Sequence, residues 1–129
     1  MAKTFLLVAA VLGFTGVALG AFGAHGLQAT LEADGRVDTF ETANRYHLTH
    51  ALGLLMVGVW LATPGGAALK NRLRWAGYGF IAGTLLFSGS LYILAIFDLG
   101  LMGAVAPLGG LGLLLGWAAV GWAAWKSAG

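Results

Sequence analysis

The sequence has no cysteine and few charged residues, which make up 9% of its 129 residues. A soluble domain carries about 25% charged residues, so this composition excludes a soluble globular domain. The absence of cysteine excludes disulfides, thiolate nucleophiles and cysteine-ligated zinc or iron–sulfur clusters. The seven basic and five acidic residues are scattered and too few for a nucleic-acid surface. No nucleic acid is therefore expected among the partners.

Four stretches of the chain contain no Asp, Glu, Lys or Arg. They lie between Lys3 and Glu32, Arg45 and Lys70, Arg74 and Asp98, and Asp98 and Lys126. Each is long enough for a helix of about 20 residues to cross a bilayer. Their apolar residues do not alternate with polar ones, which argues against a membrane β-barrel. The sequence thus predicts an all-α integral membrane protein.

The predicted architecture is a single membrane domain over residues 1–129, a four-helix bundle with helices at about 4–25, 38–62, 75–97 and 101–125. The first is interpreted as a membrane span and not as a cleaved signal, because its apolar stretch is as long as a full span. Asp38 and Glu41 have the spacing of a capping box, which predicts the second helix start. A separate short surface helix is expected over residues 67–74.

The basic residues predict the orientation. Lys3, Lys70, Arg72, Arg74 and Lys126 would share one side of a four-span protein. The positive-inside rule places that side, and both termini, in the cytoplasm. Four of the five tryptophans fall at the same boundary, where indoles prefer to lie. These two signals predict a multi-pass membrane protein with cytoplasmic termini.

Glycine is abundant, with 22 residues. Stripes of glycine at helical spacing occur in the first, third and fourth predicted helices: Gly13, Gly16, Gly20 and Gly23; Gly79 and Gly83; Gly109, Gly112 and Gly116. Small residues at such spacing let helix backbones approach closely in lipid. They predict a compact bundle, and one stripe is an alternative candidate for an oligomer seam.

Four segments of the chain resemble the motifs of one family. They are Gly20–Leu27, Phe40–Leu52, Phe87–Tyr92 and Ala106–Gly110. In order and over nearly the whole chain, they resemble the YgdD/YwdK-like small bacterial inner-membrane proteins, an uncharacterised family with mitochondrial relatives. The resemblance implies a four-span, multi-pass protein located in the bacterial inner membrane, and residues of interest, but no reaction. His47 stands where this family suggests a variable residue, so it is a weaker candidate than His25 or His50.

Several polar or helix-perturbing residues are predicted at one level of the outer leaflet. The candidates for a ligand or polar chamber are His25, His50, Ser88, Ser90, Tyr92 and Pro107. Pro107 frees a backbone carbonyl, which needs a protein or water partner in lipid. Ser88 and Ser90 are two residues apart, about 200° around a helix, so one of them, Ser90, is expected to point inward. The group either clamps the helices by hydrogen bonds or lines a functional chamber.

Three further pairs of ionisable residues are candidates for direct contact. His47 and His50 are three residues apart and form a weak candidate for zinc or copper, so no metal or other cofactor is expected. Glu41 and Arg45 have the spacing of a surface ion pair. Asp98 is expected to approach His25 at the outer surface.

Three functions remain open at this point. The preferred one is a non-enzymatic helical module that assembles with itself, with a membrane complex or with lipid. The second is an oligomeric channel or transporter for a small solute or proton, which would use the chamber around His50. The third is a redox protein that binds haem or quinone through the histidines. No hydrolase or transferase motif is present.

Overall fold

The computed structural model describes residues 1–128, and this part of the chain is helical without strands. The four long helices are α1 (Ala2–Ala24), α3 (Val37–Leu61), α5 (Lys70–Phe97) and α6 (Met102–Ser127), and two short helices, α2 (Gln28–Ala33) and α4 (Pro64–Ala68), lie in the connections. An all-helical protein was expected from the charge-free stretches.

Three of the long helices, α1, α5 and α6, are long and apolar enough to cross a membrane. Helix α3 has 25 residues, but it does not join them because its first half is too polar. Asn44, Arg45, His47 and His50 all lie there. Hydropathy thus supports three of the four expected spans.

Two helix boundaries differ from the expected ones. Helix α3 begins at Val37, and its N-cap residue Arg36 makes no side-chain capping hydrogen bond, so the capping box expected at Asp38 does not form. The expected separate helix over residues 67–74 is also absent, because the basic residues belong to the first turns of α5. Leu73 is fully buried there, which ties those turns to the core.

The long helices pack in the order α1–α3–α5–α6, so that α3 and α5 are the inner pair. Successive helices run antiparallel, as two contacts in each pair show: Gly23 with Phe40 and Leu6 with Gly58 for α1 and α3, His47 with Tyr92 and Gly53 with Phe80 for α3 and α5, and Gly79 with Gly116 and Phe87 with Gly109 for α5 and α6. The main core cluster lies between these helices and includes the fully buried Phe5, Leu54, Leu73 and Phe80. An inner helix is covered on two sides, so more of its circumference is buried.

Close backbone approach joins α5 to α6. A Cβ placed on Gly79 would lie 2.9 Å from the carbonyl oxygen of Gly112, and one on Gly83 would lie 2.7 Å from the backbone nitrogen of Leu113. A Cβ on Gly109 would meet the backbone of Phe87. These distances are shorter than carbon contacts of about 3.5–4.0 Å, so the two backbones meet where side chains are absent.

At the end of the molecule that carries α2, charged residues pair differently from the expectation. Arg36 binds Asp98, with Nη2 2.9 Å from Oδ1. Asp98 therefore does not pair with His25, and its positive φ of 53° lets it end α5. Within residues 1–128 this is the one ion pair, so the expected pair between Glu41 and Arg45 is not formed.

Candidate functional site

A chain of hydrogen bonds connects α1, α3 and α5. The ring of His47 is buried, with Nδ1 2.9 Å from the Tyr92 hydroxyl and Nε2 3.3 Å from the Thr15 hydroxyl. The amide of Asn44 donates to Tyr92 Oη at 3.1 Å and to the carbonyl of Gly16 at 2.8 Å. We call these four side chains, Thr15, Asn44, His47 and Tyr92, the His47 cluster.

The donors of the His47 cluster can be assigned from chemistry. The single hydroxyl proton of Thr15 is used on the carbonyl of Val11, at 2.8 Å. His47 Nε2 therefore donates to Thr15 Oγ1, and Nδ1 accepts from the Tyr92 hydroxyl. Tyr92 in turn accepts from Asn44. All bonds are consistent with one direction, from Asn44 through Tyr92 and His47 to Thr15.

The glycines of α1 make room for this cluster. A Cβ on Gly20 would lie 2.8 Å from Asn44 Oδ1, and one on Gly16 would lie 3.5 Å from His47 Cδ2. Since a larger residue at Gly20 would displace Asn44, the stripe brings α1 close enough for α3 to hydrogen-bond its backbone.

His50 forms a second site, between α3 and α6. Its ring is buried, and Nε2 accepts a hydrogen bond of 3.0 Å from Trp117 Nε1, since an indole nitrogen is a donor only. The proton therefore sits on Nδ1, which donates to the Tyr46 carbonyl at 2.7 Å. His50 also makes an edge contact with Phe80, with ring centres 5.5 Å apart. We call His50, Tyr46 and Trp117 the His50 cluster.

A groove of about 630 Å³ opens beside the His50 cluster, between α3 and α6. Thr49, Phe87 and Pro107 contribute to its walls, and Arg45 is the one charged residue that lines it. Arg45 is exposed, so a cation lies beside a largely apolar groove. The expected chamber residue Pro107 is therefore close to His50.

The remaining candidates lie elsewhere. His25 is exposed at the end of α1 and makes no side-chain hydrogen bond within residues 1–128. Ser88 and Ser90 are both buried, so the expectation that only one points inward is wrong. Ser90 Oγ donates to the Phe87 carbonyl at 2.9 Å, whereas Ser88 Oγ has no partner among the described residues. The expected single chamber is replaced by two clusters.

His47 and His50 share one helix but not one site. His47 faces Thr15 on α1 and Tyr92 on α5, while His50 faces Trp117 on α6. Across residues 1–128, no group of three His, Cys, Asp or Glu side chains is arranged to hold a metal ion. Groups of the protein itself are hydrogen-bonded to both ring nitrogens of His47 and both ring nitrogens of His50.

Four members of these clusters were not selected as candidates from the sequence: Thr15, Asn44, Tyr46 and Trp117. Thr15 is a single polar residue in an apolar helix, Asn44 lies in the polar first half of α3, and Trp117 lies inside α6, away from the tryptophans of the boundary. Asn44 was the detectable one, since a side-chain amide removed from water requires hydrogen-bond partners. His47 had been ranked too low.

The chain matches a known protein family. The model of the family described as "Protein of unknown function (DUF423)" matches residues 19–110. The chain belongs to this family. The matched region contains Asn44, His47, His50 and Tyr92 and ends before Trp117. No solved structure matches the chain.

Relatives with similar lengths carry the names expected from the resemblance. The UPF0382 inner membrane protein YgdD of Escherichia coli (strain K12) is 40% identical over 123 residues, which cover 92% of this chain and 87% of that protein. The UPF0382 membrane protein YwdK of Bacillus subtilis (strain 168) is 38% identical over 115 residues, 89% of this chain and 90% of that protein. The resemblance to the YgdD/YwdK-like family is thus confirmed, and the chain is a helical membrane protein.

Proposed function

We propose that the protein is a non-enzymatic module of the bacterial inner membrane, with four spans, that assembles with further copies of itself. The observation that carries this proposal is the use of its polar side chains. Both nitrogens of each buried imidazole have partners in the protein, and three of these four bonds cross from α3 to another helix. Polar groups arranged in this way hold helices in register, and neither imidazole has a nitrogen without a partner in the protein.

The charges support the proposed orientation. The antiparallel order brings the start of α1, the start of α5 and the end of α6 to one end of the molecule, where Phe5 lies 5.5 Å from Tyr78, ring centre to ring centre. Lys3, Arg74 and Lys126 lie near this end. By the positive-inside rule it faces the cytoplasm, together with both termini.

The glycine stripe of α1 supports α1 as the surface through which two copies associate. Gly16, Gly20 and Gly23 are covered by side chains of α3, but a Cβ on Gly13 would meet nothing within 4 Å. Gly13 lies in a groove of about 530 Å³ with Ala9 and other residues of α1 and α3. Small residues on an open helix face let a second helix approach closely in lipid. A second copy is the proposed occupant.

The test is co-purification of two differently tagged copies from membranes. The wild-type pair is expected to co-purify, and Gly13→Ile is expected to abolish this because it fills the groove. Gly121→Ile is the matched control, since Gly121 is also an open helical glycine, on α6. If each wild-type copy is recovered without the other, self-association is contradicted. If Gly13→Ile co-purifies as well as the wild type, the interface does not lie at Gly13.

A transport function is the second candidate, and the groove beside the His50 cluster favours it. Proteoliposomes with an enclosed pH-sensitive dye would test proton movement, comparing the wild type with Trp117→Phe. That variant removes the hydrogen bond to His50 Nε2 and retains an aromatic ring. A flux above empty liposomes that changes in the variant would favour transport over the module.

Binding of haem or quinone is the third candidate and has less support. Haem would have to displace the hydrogen-bond partners of His47 or His50 to reach a nitrogen. An absorption spectrum of protein purified from membranes, with a band in the haem region, would reverse this order.

A further inference from the structure

The charges of the chain are separated between its two ends. All five acidic residues lie in the connection between α1 and α3, in the first turns of α3 or at the end of α5: Glu32, Asp34, Asp38, Glu41 and Asp98. Five of the seven basic residues lie near the opposite end: Lys3, Lys70, Arg72, Arg74 and Lys126. This end, which we call the basic end, thus contains no carboxylate side chain.

A groove of about 620 Å³ runs between α5 and α6 on the side of the basic end. Its floor consists of small residues, among them Gly79, Ala82, Gly112 and Ala118. Three aromatic residues form its rim: Trp75, Tyr78 and Trp122. We call this feature the α5/α6 groove. The small residues that allow close backbone contact also leave a shallow apolar channel along the helices.

Two arginines lie against the aromatic rim. Arg72 Cζ is 4.7 Å from the centre of the Trp122 ring, and Arg74 Cζ is 5.9 Å from the centre of the Tyr78 ring. Such cation–π contacts fix a guanidinium without neutralising it. Neither arginine has a carboxylate partner within residues 1–128, and the buried Nε of Arg72 has no acceptor there. Two positive charges are therefore held at the mouth of the α5/α6 groove.

We propose that the α5/α6 groove binds an anionic phospholipid, with one acyl chain along the floor and the phosphate beside Arg72 and Arg74. A hydrocarbon chain matches the apolar floor, and an anion matches the two guanidinium groups, which have no carboxylate partner within residues 1–128. A phospholipid supplies both, separated by the distance between bilayer core and surface. The proposal depends on the proposed four-span topology, which places the mouth at the cytoplasmic surface, where basic residues attract anionic headgroups.

Native mass spectrometry of the purified protein in a neutral detergent tests the proposal. Phosphatidylglycerol and phosphatidylcholine with identical acyl chains are titrated separately. Phosphatidylglycerol is expected to bind more tightly. Each charge near the surface is worth about 1 kcal/mol, so Arg72→Gln and Arg74→Gln should each weaken its binding about fivefold. Arg36→Gln, which removes an arginine that is already paired with Asp98 at the opposite end of the molecule, should leave it unchanged.

The acyl chain is tested separately from the phosphate. Ala118 is exposed in the α5/α6 groove, so Ala118→Leu should obstruct the chain and weaken phosphatidylglycerol binding with every charge retained. Ala124→Leu on the same helix is the matched control, since Ala124 is exposed outside the groove.

Several results would overturn the proposal. Equal affinity for phosphatidylglycerol and phosphatidylcholine would show that the arginines do not select the headgroup. If inorganic phosphate stabilises the protein as much as phosphatidylglycerol does, the acyl chain does not contribute to binding. Dimers that dissociate in Arg72→Gln would make a second copy the occupant. A topology reporter fused to the C-terminus separates failure of the lipid site from failure of the proposed function. If the C-terminus is cytoplasmic but the protein shows no lipid preference, only the lipid site is refuted.

Discussion

Replacing Gly109 with alanine adds one methyl group where α5 and α6 are closest. The new Cβ would lie 2.7 Å from the carbonyl carbon of Leu86 and from the Cα of Phe87. Both atoms belong to the backbone of α5, so no side-chain rotation relieves the overlap. The carbon atoms reach ordinary contact only if the helices separate by about 1 Å, given an optimum near 3.5–4.0 Å.

The expected cost follows from two opposing terms. Overpacking of a tight site typically costs about 1–3 kcal/mol, while alanine gains about 1 kcal/mol over glycine in a helix. Because the overlap is with backbone atoms that cannot rotate away, the upper part of the first range applies, about 2–3 kcal/mol, and the net free energy of unfolding should fall by about 1–2 kcal/mol. At roughly 4 °C per kcal/mol for a domain of this size, Gly109→Ala should lower the melting temperature by about 4–8 °C.

The assay is thermal unfolding in detergent, followed by the fluorescence of the five tryptophans. Gly121→Ala is the matched control on the same helix, because a Cβ at Gly121 meets nothing within 4 Å. That variant should melt at the wild-type temperature or slightly above it. If Gly109→Ala melts together with Gly121→Ala, the contact between α5 and α6 does not limit stability and the packing argument fails.

Three further outcomes are expected. Tyr92→Phe deprives the buried His47 and the half-buried Asn44 of a hydrogen bond and should cost about 1–3 kcal/mol. Tyr78→Phe, at an exposed tyrosine, is its control, and equal melting temperatures would contradict the His47 cluster. Asp98→Asn breaks an exposed pair with Arg36 and should change stability by less than about 1 kcal/mol, as measured by the same melts; a larger loss would refute this. A reporter active only in the periplasm, fused after Gly129, should remain silent, and activity would reverse the orientation.

The sequence predicted what depends on composition and short spacing. Charge-free stretches predicted the helices, because exclusion of charge from lipid acts on every residue of a span. The position of α5 was predicted less well: Lys70 and Arg72 were assigned to a surface segment, although Leu73 anchors these turns in the core. Local polarity does not reveal which side of a helix a neighbour covers.

The site depended on contacts between helices far apart in sequence, which spacing does not contain. Ser88 and Ser90 are both buried because α5 lies between α3 and α6, whereas the expectation assumed one covered face. His50 was selected correctly as a buried residue, but its partner Trp117 is 67 positions away. His47 was ranked low from the family pattern alone, although it has partners on both neighbouring helices.

The polarity of the first half of α3 has a consequence for how the protein enters the membrane. Asn44 and His47 are satisfied only by groups on α1 and α5, and α5 is synthesised later than α3. A ribosome-bound chain that has exposed α3 but not α5 therefore lacks the Tyr92 hydroxyl, which is one hydrogen-bond partner of each of these side chains, and lipid offers no substitute. Helix α3 should remain at the membrane surface or within the insertion machinery until α5 arrives, so its insertion is a late and cooperative step.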